Sequence, residues 1–97
     1  DLFKLKAVTL LNQTTLAAND YIQDTVTFSP DSGYTAIAVT GWHITVQGGI
    51  QYARYMNLFV LRMPSSTTIT YDLSNTGDNS RNVTLIAYVL QVKTTAS

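Results

Sequence analysis

Residues 34–46 form a run in which the larger apolar side chains change sides. Ile37 and Val39 occupy odd positions, whereas Trp42, Ile44 and Val46 occupy even ones. Side chains alternate with a period of two along a strand, so a parity switch moves every later residue to the opposite face. One extra residue at Thr40–Gly41, a β-bulge, restores the original face, and glycine tolerates the backbone angles such a bulge can demand. This reading directs Ile37, Val39, Trp42, Ile44 and Val46 into one core and turns His43 outward. Trp42 is then mainly a core residue.

The rest of the chain alternates in the same way. Residues 4–11 read as a strand, and residues 12–20 as a polar connection holding a small apolar patch at 16–18. Residues 21–28 place Ile22, Val26 and Phe28 on one face, with Asp24 falling among them. Ser29, Pro30, Asp31, Ser32 and Gly33 supply a turn before the long strand, and Gly48 and Gly49 supply a loop after it. Residues 52–63 could be helical from their Ala, Leu and Met content. Their flanks favour a strand, buried on both faces from 57 to 61. Ile69, Tyr71 and Leu73 share one face of a further strand, residues 74–82 form a polar loop, and residues 83–93 form the last strand. The polar residues 94–97 close the chain as a tail. Turn signals every 8–12 residues describe an all-β fold: a small antiparallel β-sandwich, jelly-roll-like, with six to eight strands over a single domain, residues 1–97.

Composition agrees with that class. Fifteen residues are Thr and all six acidic residues are Asp, with no Glu, a balance that favours strands over helices. Without cysteine, neither disulfides nor thiolate metal sites can support the core. Formal charge is zero, which argues against nucleic acid as a partner, since phosphate binding takes a clustered cationic surface. Lys4 and Lys6 alone do not make one. No apolar run reaches the ~18–20 residues of a membrane span, so membrane insertion is not expected. The chain does not start with Met, and the expectation is that it continues a longer polypeptide upstream.

Catalytic patterns are sparse. A Ser-His-Asp arrangement would have to centre on His43, the single histidine, and no G-x-S-x-G motif is present. A glycosidase needs two opposed carboxylates, and the sequence singles out no pair among Asp24, Asp72 and Asp78. Metal-ligand spacing and a phosphate-cradling glycine loop are both missing, so no metal or other cofactor is expected. Two N-x-T sequons, at Asn12 and Asn82, are unremarkable in a chain this rich in Thr. The aromatic residues are more informative: Trp42, Tyr52 and Tyr55 flank the paired glycines with Arg54 among them. Aromatic rings beside amide, carboxylate or guanidinium groups can stack on a sugar's C–H face and hydrogen-bond its hydroxyls. The same rings could equally fill a core or a subunit interface.

Three stretches carry a resemblance: SGYTAIAVTG (32–41), SNTG (74–77) and VTLIAYVLQVK (83–93). Together with TLAAND (15–20) and TVTF (25–28), they resemble a small β-rich domain at the C-terminus of phage and prophage tail-fibre or receptor-binding proteins. The resemblance implies a β-sandwich head that forms a homotrimer, joins upstream tail or baseplate parts of the virion, and attaches outside the cell to a bacterial surface saccharide. It implies no catalytic residues, and gives Gly33, Tyr34, Gly41, Asn75 and Gly77 structural duties. The sequence therefore points to a non-enzymatic binding head. Its expected ligand-binding residues are His43, Tyr52, Arg54, Tyr55, Asp78, Asn79 and Arg81, in the loops 47–55 and 74–82 and beside them. Two alternatives stand beside this reading: a structural virion component, capsid-decorating or trimerising, without a ligand of its own, and a small glycosidase or esterase built around His43 or two Asp residues.

Overall fold

A computed structural model describes residues 1–94. Its six strands are β1 (Phe3–Leu16), β2 (Asp20–Thr27), β3 (Tyr34–Val46), β4 (Met56–Ser65), β5 (Thr68–Asn75) and β6 (Arg81–Lys93), with a short 3-10 helix over Ile50–Tyr55. They form two antiparallel three-stranded sheets, ordered β1-β6-β3 and β2-β5-β4. Successive strands change sheet except at the β4–β5 hairpin, a jelly-roll-like winding with fewer strands than the full eight. β1 approaches β2, β3 approaches β4, and the inner sides of both sheets share one core, so the all-β sandwich read from the sequence is the fold.

The core follows from strict alternation in the two central strands. Ile69, Tyr71, Leu73 and Asn75 of β5 are buried, as are Val83, Leu85, Ala87, Val89 and Gln91 of β6, while their neighbours in sequence are half-buried. Each large aliphatic side chain taken from water this way contributes roughly 1.5–3 kcal/mol. Burial, with a further push from the Asp24 carboxylate, raises the pKa of the Tyr71 phenol. Asp24 pairs in register with Tyr71 on the inner side of β2 but stays exposed, because β2 is an edge strand.

The bulge at Thr40 is present: Val39 pairs with Val89 and Gly41 with Tyr88, leaving Thr40 without a partner position. A second bulge lies upstream, where Ala36 pairs with Gln91 and Ala38 with Leu90. Ile37 is therefore the extra residue, half-exposed rather than in the core, and Ala36 takes the buried position. Ile44 and Val46 join the core as anticipated, and His43 faces outward opposite Ile86. Trp42 does not. It occupies an inner position opposite Ala87, yet 52% of it is exposed, because an inner side chain on an edge strand is covered on one side only. Gly41 lies outside the left-handed region of backbone angles, so the bulge does not depend on glycine's freedom.

Other boundaries also move. β1 continues through the predicted polar connection to Leu16, because register shifts after Thr9 and Leu11 bring Leu10, Leu11 and Leu16 all inward. The stretch 52–63 divides into the end of the 3-10 helix and the start of β4. It is not buried on both faces: Phe59, the extra residue of a β4 bulge, is 69% exposed. β5 and β6 extend into the predicted 74–82 loop from both ends, leaving 76–80 as the connection. Most of the predicted tail, 95–97, lies outside the described residues.

The β2–β3 crossover is held by one carboxylate. Asp31 accepts hydrogen bonds from the fully buried Gln91 amide (3.0 Å) and from Lys6 (3.0 Å), and pairs with Lys4 (3.2 Å). Its own backbone N–H donates to Gln91 Oε1 (2.8 Å). These partners, Gln91 first, hold the Asp31 pKa well below the usual carboxylate range. The two lysines near the start of the chain are thus both engaged by Asp31.

Two measurements follow. Deleting Thr40 while keeping β3 paired would turn Trp42, Ile44 and Val46 to the other face, so that variant is expected to lose cooperative urea unfolding, whereas Gly41→Ala changes stability by less than about 1 kcal/mol. For Asp31→Asn, the lowered native pKa sets the sign. The carboxylate stabilises the fold above its unfolded pKa of about 3.9, and that contribution disappears as pH falls through the native value. The urea midpoint of the variant should lie below that of the parent chain near neutrality, and the gap should close as pH drops below about 4.

Candidate functional site

At the end of the sandwich where β6 begins, two connections meet. One is the β3–β4 connection, whose chain reverses at Gly48 (φ 102°) and Gly49 (φ 133°) before the 3-10 helix. These angles strongly favour glycine, and a Cβ on Gly48 would come within 2.9 Å of the Tyr52 ring. The other is the β5–β6 connection, held from beneath by Asn75, which is only 1% exposed. Its Nδ2 donates to the carbonyls of Leu16 (3.1 Å) and Asn79 (2.9 Å), and its Oδ1 accepts from the Gly77 N–H (2.9 Å). A single amide thereby joins the end of β1 to both sides of the turn.

The two connections are strapped together at the Tyr55 carbonyl. It accepts from the Thr76 N–H (2.9 Å), the Thr76 hydroxyl (3.0 Å) and the Asn57 amide (3.2 Å). Gly77 sits so close to the Tyr55 ring that an added Cβ would fall 3.1 Å from its Cγ. Between them lies an open cleft of about 180 Å³. Tyr52 and Tyr55 form one wall, Asn75 to Asn79 the other, and Arg81 reaches in from the first residue of β6. The Arg81 guanidinium stacks on the Tyr52 ring, 3.7 Å from its centroid. No carboxylate lies within 4 Å of it among the described residues, so the ring fixes its plane while its N–H edge is not taken up by an ion pair.

Five of the seven residues expected from the sequence therefore converge: Tyr52, Tyr55, Asp78, Asn79 and Arg81 line one cleft. The other two do not. His43 borders a separate, more apolar concavity with Ile44, Ile50 and Ala53, because the Thr40 bulge sends it to the outer side of β3. Arg54 is exposed on the 3-10 helix and is not part of the cleft wall. Tyr52, anticipated as a stacking platform, has a ring face covered by Arg81. Tyr55, 41% exposed, is the more accessible ring. Sequence reasoning missed Thr76 as a wall residue and assigned Asn75 and Gly77 structure alone. The Asn-Thr-Gly turn signal could have suggested all three, because amide side chains often bond backbone two residues on.

The arrangement presents an aromatic face, a guanidinium edge, hydroxyl and amide groups, and one carboxylate, Asp78. Such a set can hold a polyhydroxylated ligand by stacking and by directed hydrogen bonds. No protein-family model, curated protein or solved structure matches the chain.

Asn75→Ala would strand the Leu16 and Asn79 carbonyls and the Gly77 N–H. A loss of about 2–3 kcal/mol in urea unfolding is expected, together with amide-exchange protection lost over residues 76–80.

Proposed function

We propose that this chain is a non-enzymatic attachment head that binds a bacterial surface saccharide through the end cleft, as the distal domain of a phage tail-fibre or receptor-binding protein. The convergence of Tyr52, Tyr55, Asp78, Asn79 and Arg81 in one cleft carries the reading. The placement suits recognition: loops carry contact residues at the end of a rigid β scaffold, and the buried Asn75 amide preorganises one of them. The cleft wall holds a single carboxylate, which fits binding better than glycosidic hydrolysis by an opposed pair. The sequence resemblance supplies the tail-fibre context, and with it action outside the host cell.

A second reading, a structural virion component without a ligand, is favoured by one observation: several large apolar side chains are exposed, including Phe3 and Leu5 on the outer side of β1. The two readings separate in a binding experiment. Isothermal titration against a panel of capsular, lipopolysaccharide and wall-teichoic saccharides should find at least one ligand. Alanine at Arg81 or Tyr55 should weaken it by at least about tenfold, while alanine at Arg54 or His43 should leave it within about twofold. Binding to no member of the panel would reject the attachment reading and leave the structural one.

A further inference from the structure

Two side chains of opposite charge line the end cleft: Asp78 on the β5–β6 connection and Arg81 at the start of β6. They are close in sequence, yet no ion pair joins them. Neither side chain has a hydrogen-bond partner among the described residues. The guanidinium is held elsewhere. It stacks on the Tyr52 ring, 3.7 Å from the centroid, and both groups rest against Gly48. A Cβ on Gly48 would come within 2.9 Å of that ring and 3.5 Å of Arg81 Nη1. The cleft thus keeps a cation and an anion apart, each uncommitted.

We infer that the cleft takes a zwitterionic substituent of the saccharide, with a phosphate or carboxylate group on Arg81 and an ammonium group at Asp78 and the Tyr55 ring. The inference rests on the attachment reading for the carrier of that substituent. Its charge pattern comes from the cleft itself.

Each pole suits its half of the ligand. A guanidinium stacked by one face keeps its N–H edge in plane, the geometry that bonds a carboxylate or phosphate through two parallel N–H groups. At the other pole, Asp78 follows Gly77, which sits against the Tyr55 ring, so a carboxylate and an exposed aromatic ring lie near one another. An ammonium group is attracted by both.

Other ligand classes leave a charge stranded. A neutral sugar would take water from two opposite charges and neutralise neither. A purely anionic group would satisfy Arg81 and meet repulsion from Asp78, and a purely cationic one the reverse. A zwitterion pairs both. The volume of about 180 Å³ equals the share of about six water molecules in the liquid, which matches a substituent rather than a run of sugar rings.

Small probes test the charge pattern without the saccharide. Phosphoethanolamine and β-alanine carry an ammonium group two carbons from a phosphate and a carboxylate respectively, and so distinguish the two anions. Inorganic phosphate and ethanolamine are the single-charge controls. In nitrogen-15 NMR titrations of the chain, at least one zwitterion should shift the amides of Gly48, Gly77, Asp78 and Arg81. It should bind at least about tenfold more tightly than either control. Arg81→Gln and Asp78→Asn should each weaken it at least about fivefold, whereas Arg54→Ala should leave it within about twofold. Asp78→Asn should also strengthen the binding of inorganic phosphate, a gain that a merely structural role for Asp78 would not produce. Amide shifts across the strands of each variant report that the fold is intact.

Inorganic phosphate binding as tightly as both zwitterions overturns the inference. So does the absence of any cleft shift with either zwitterion at about 50 mM, even if a neutral saccharide binds the cleft and the attachment reading stands. Zwitterion binding in the cleft with no saccharide bound would reject the attachment reading alone.

Discussion

The buried amide of Asn75 is the constraint on which the end of the molecule depends. An amide taken fully out of water must recover its hydrogen bonds inside the protein, and this one does so on three backbone groups from two segments. The Gly77 turn and the Asn79 carbonyl are consequently placed relative to the end of β1, and Tyr55 is strapped onto that turn in its own right. The cleft wall is thus rigid backbone carrying side chains, rather than a loop waiting to be ordered. At the other end of β6, Gln91 plays the corresponding part, with the Asp31 carboxylate and backbone N–H as its partners. Two buried amides near opposite ends of the sandwich hold the crossovers that alternation alone leaves undefined.

Between those ends the sandwich is organised by what its edge strands refuse to do. The register shifts add residues to β1, β3 and β4, whereas the central strands β5 and β6 run uninterrupted. Bulged edges twist away from a straight template, and the inner-side Asp24 serves β2 in a similar way. The same bulges aim side chains: Ile37 and Phe59 out, Leu10 and Leu11 both in, His43 away from the cleft. Edge protection and the layout of the functional end are therefore one device.

Much of this was legible beforehand. The bounds of β3 and the buried set Ile69, Tyr71 and Leu73 were readable, because alternation with a period of two is local and directly expresses burial. The Thr40 bulge was readable as a change of parity. The Ile37 bulge was not, because the Ala residues on either side gave no contrast to mark which faced inward. The fate of Trp42 was hidden for a different reason: parity assigns a face, but not whether another layer covers it. The convergence of five anticipated residues rested on loop chemistry, and the loss of His43 and Arg54 on where their backbones turned.

By itself, the sequence determined the all-β class, the inner faces of the central strands and the polar loops fit for contacts, since each depends on neighbours a few residues apart. Tertiary structure alone decided that the 47–55 and 74–82 segments close one cleft, that Arg81 stacks on Tyr52, and that Trp42 stays half-exposed on an edge strand. Those outcomes depend on which strands become neighbours and which become edges. Residues more than twenty positions apart set them, through hydrogen bonds and packing that no local pattern encodes.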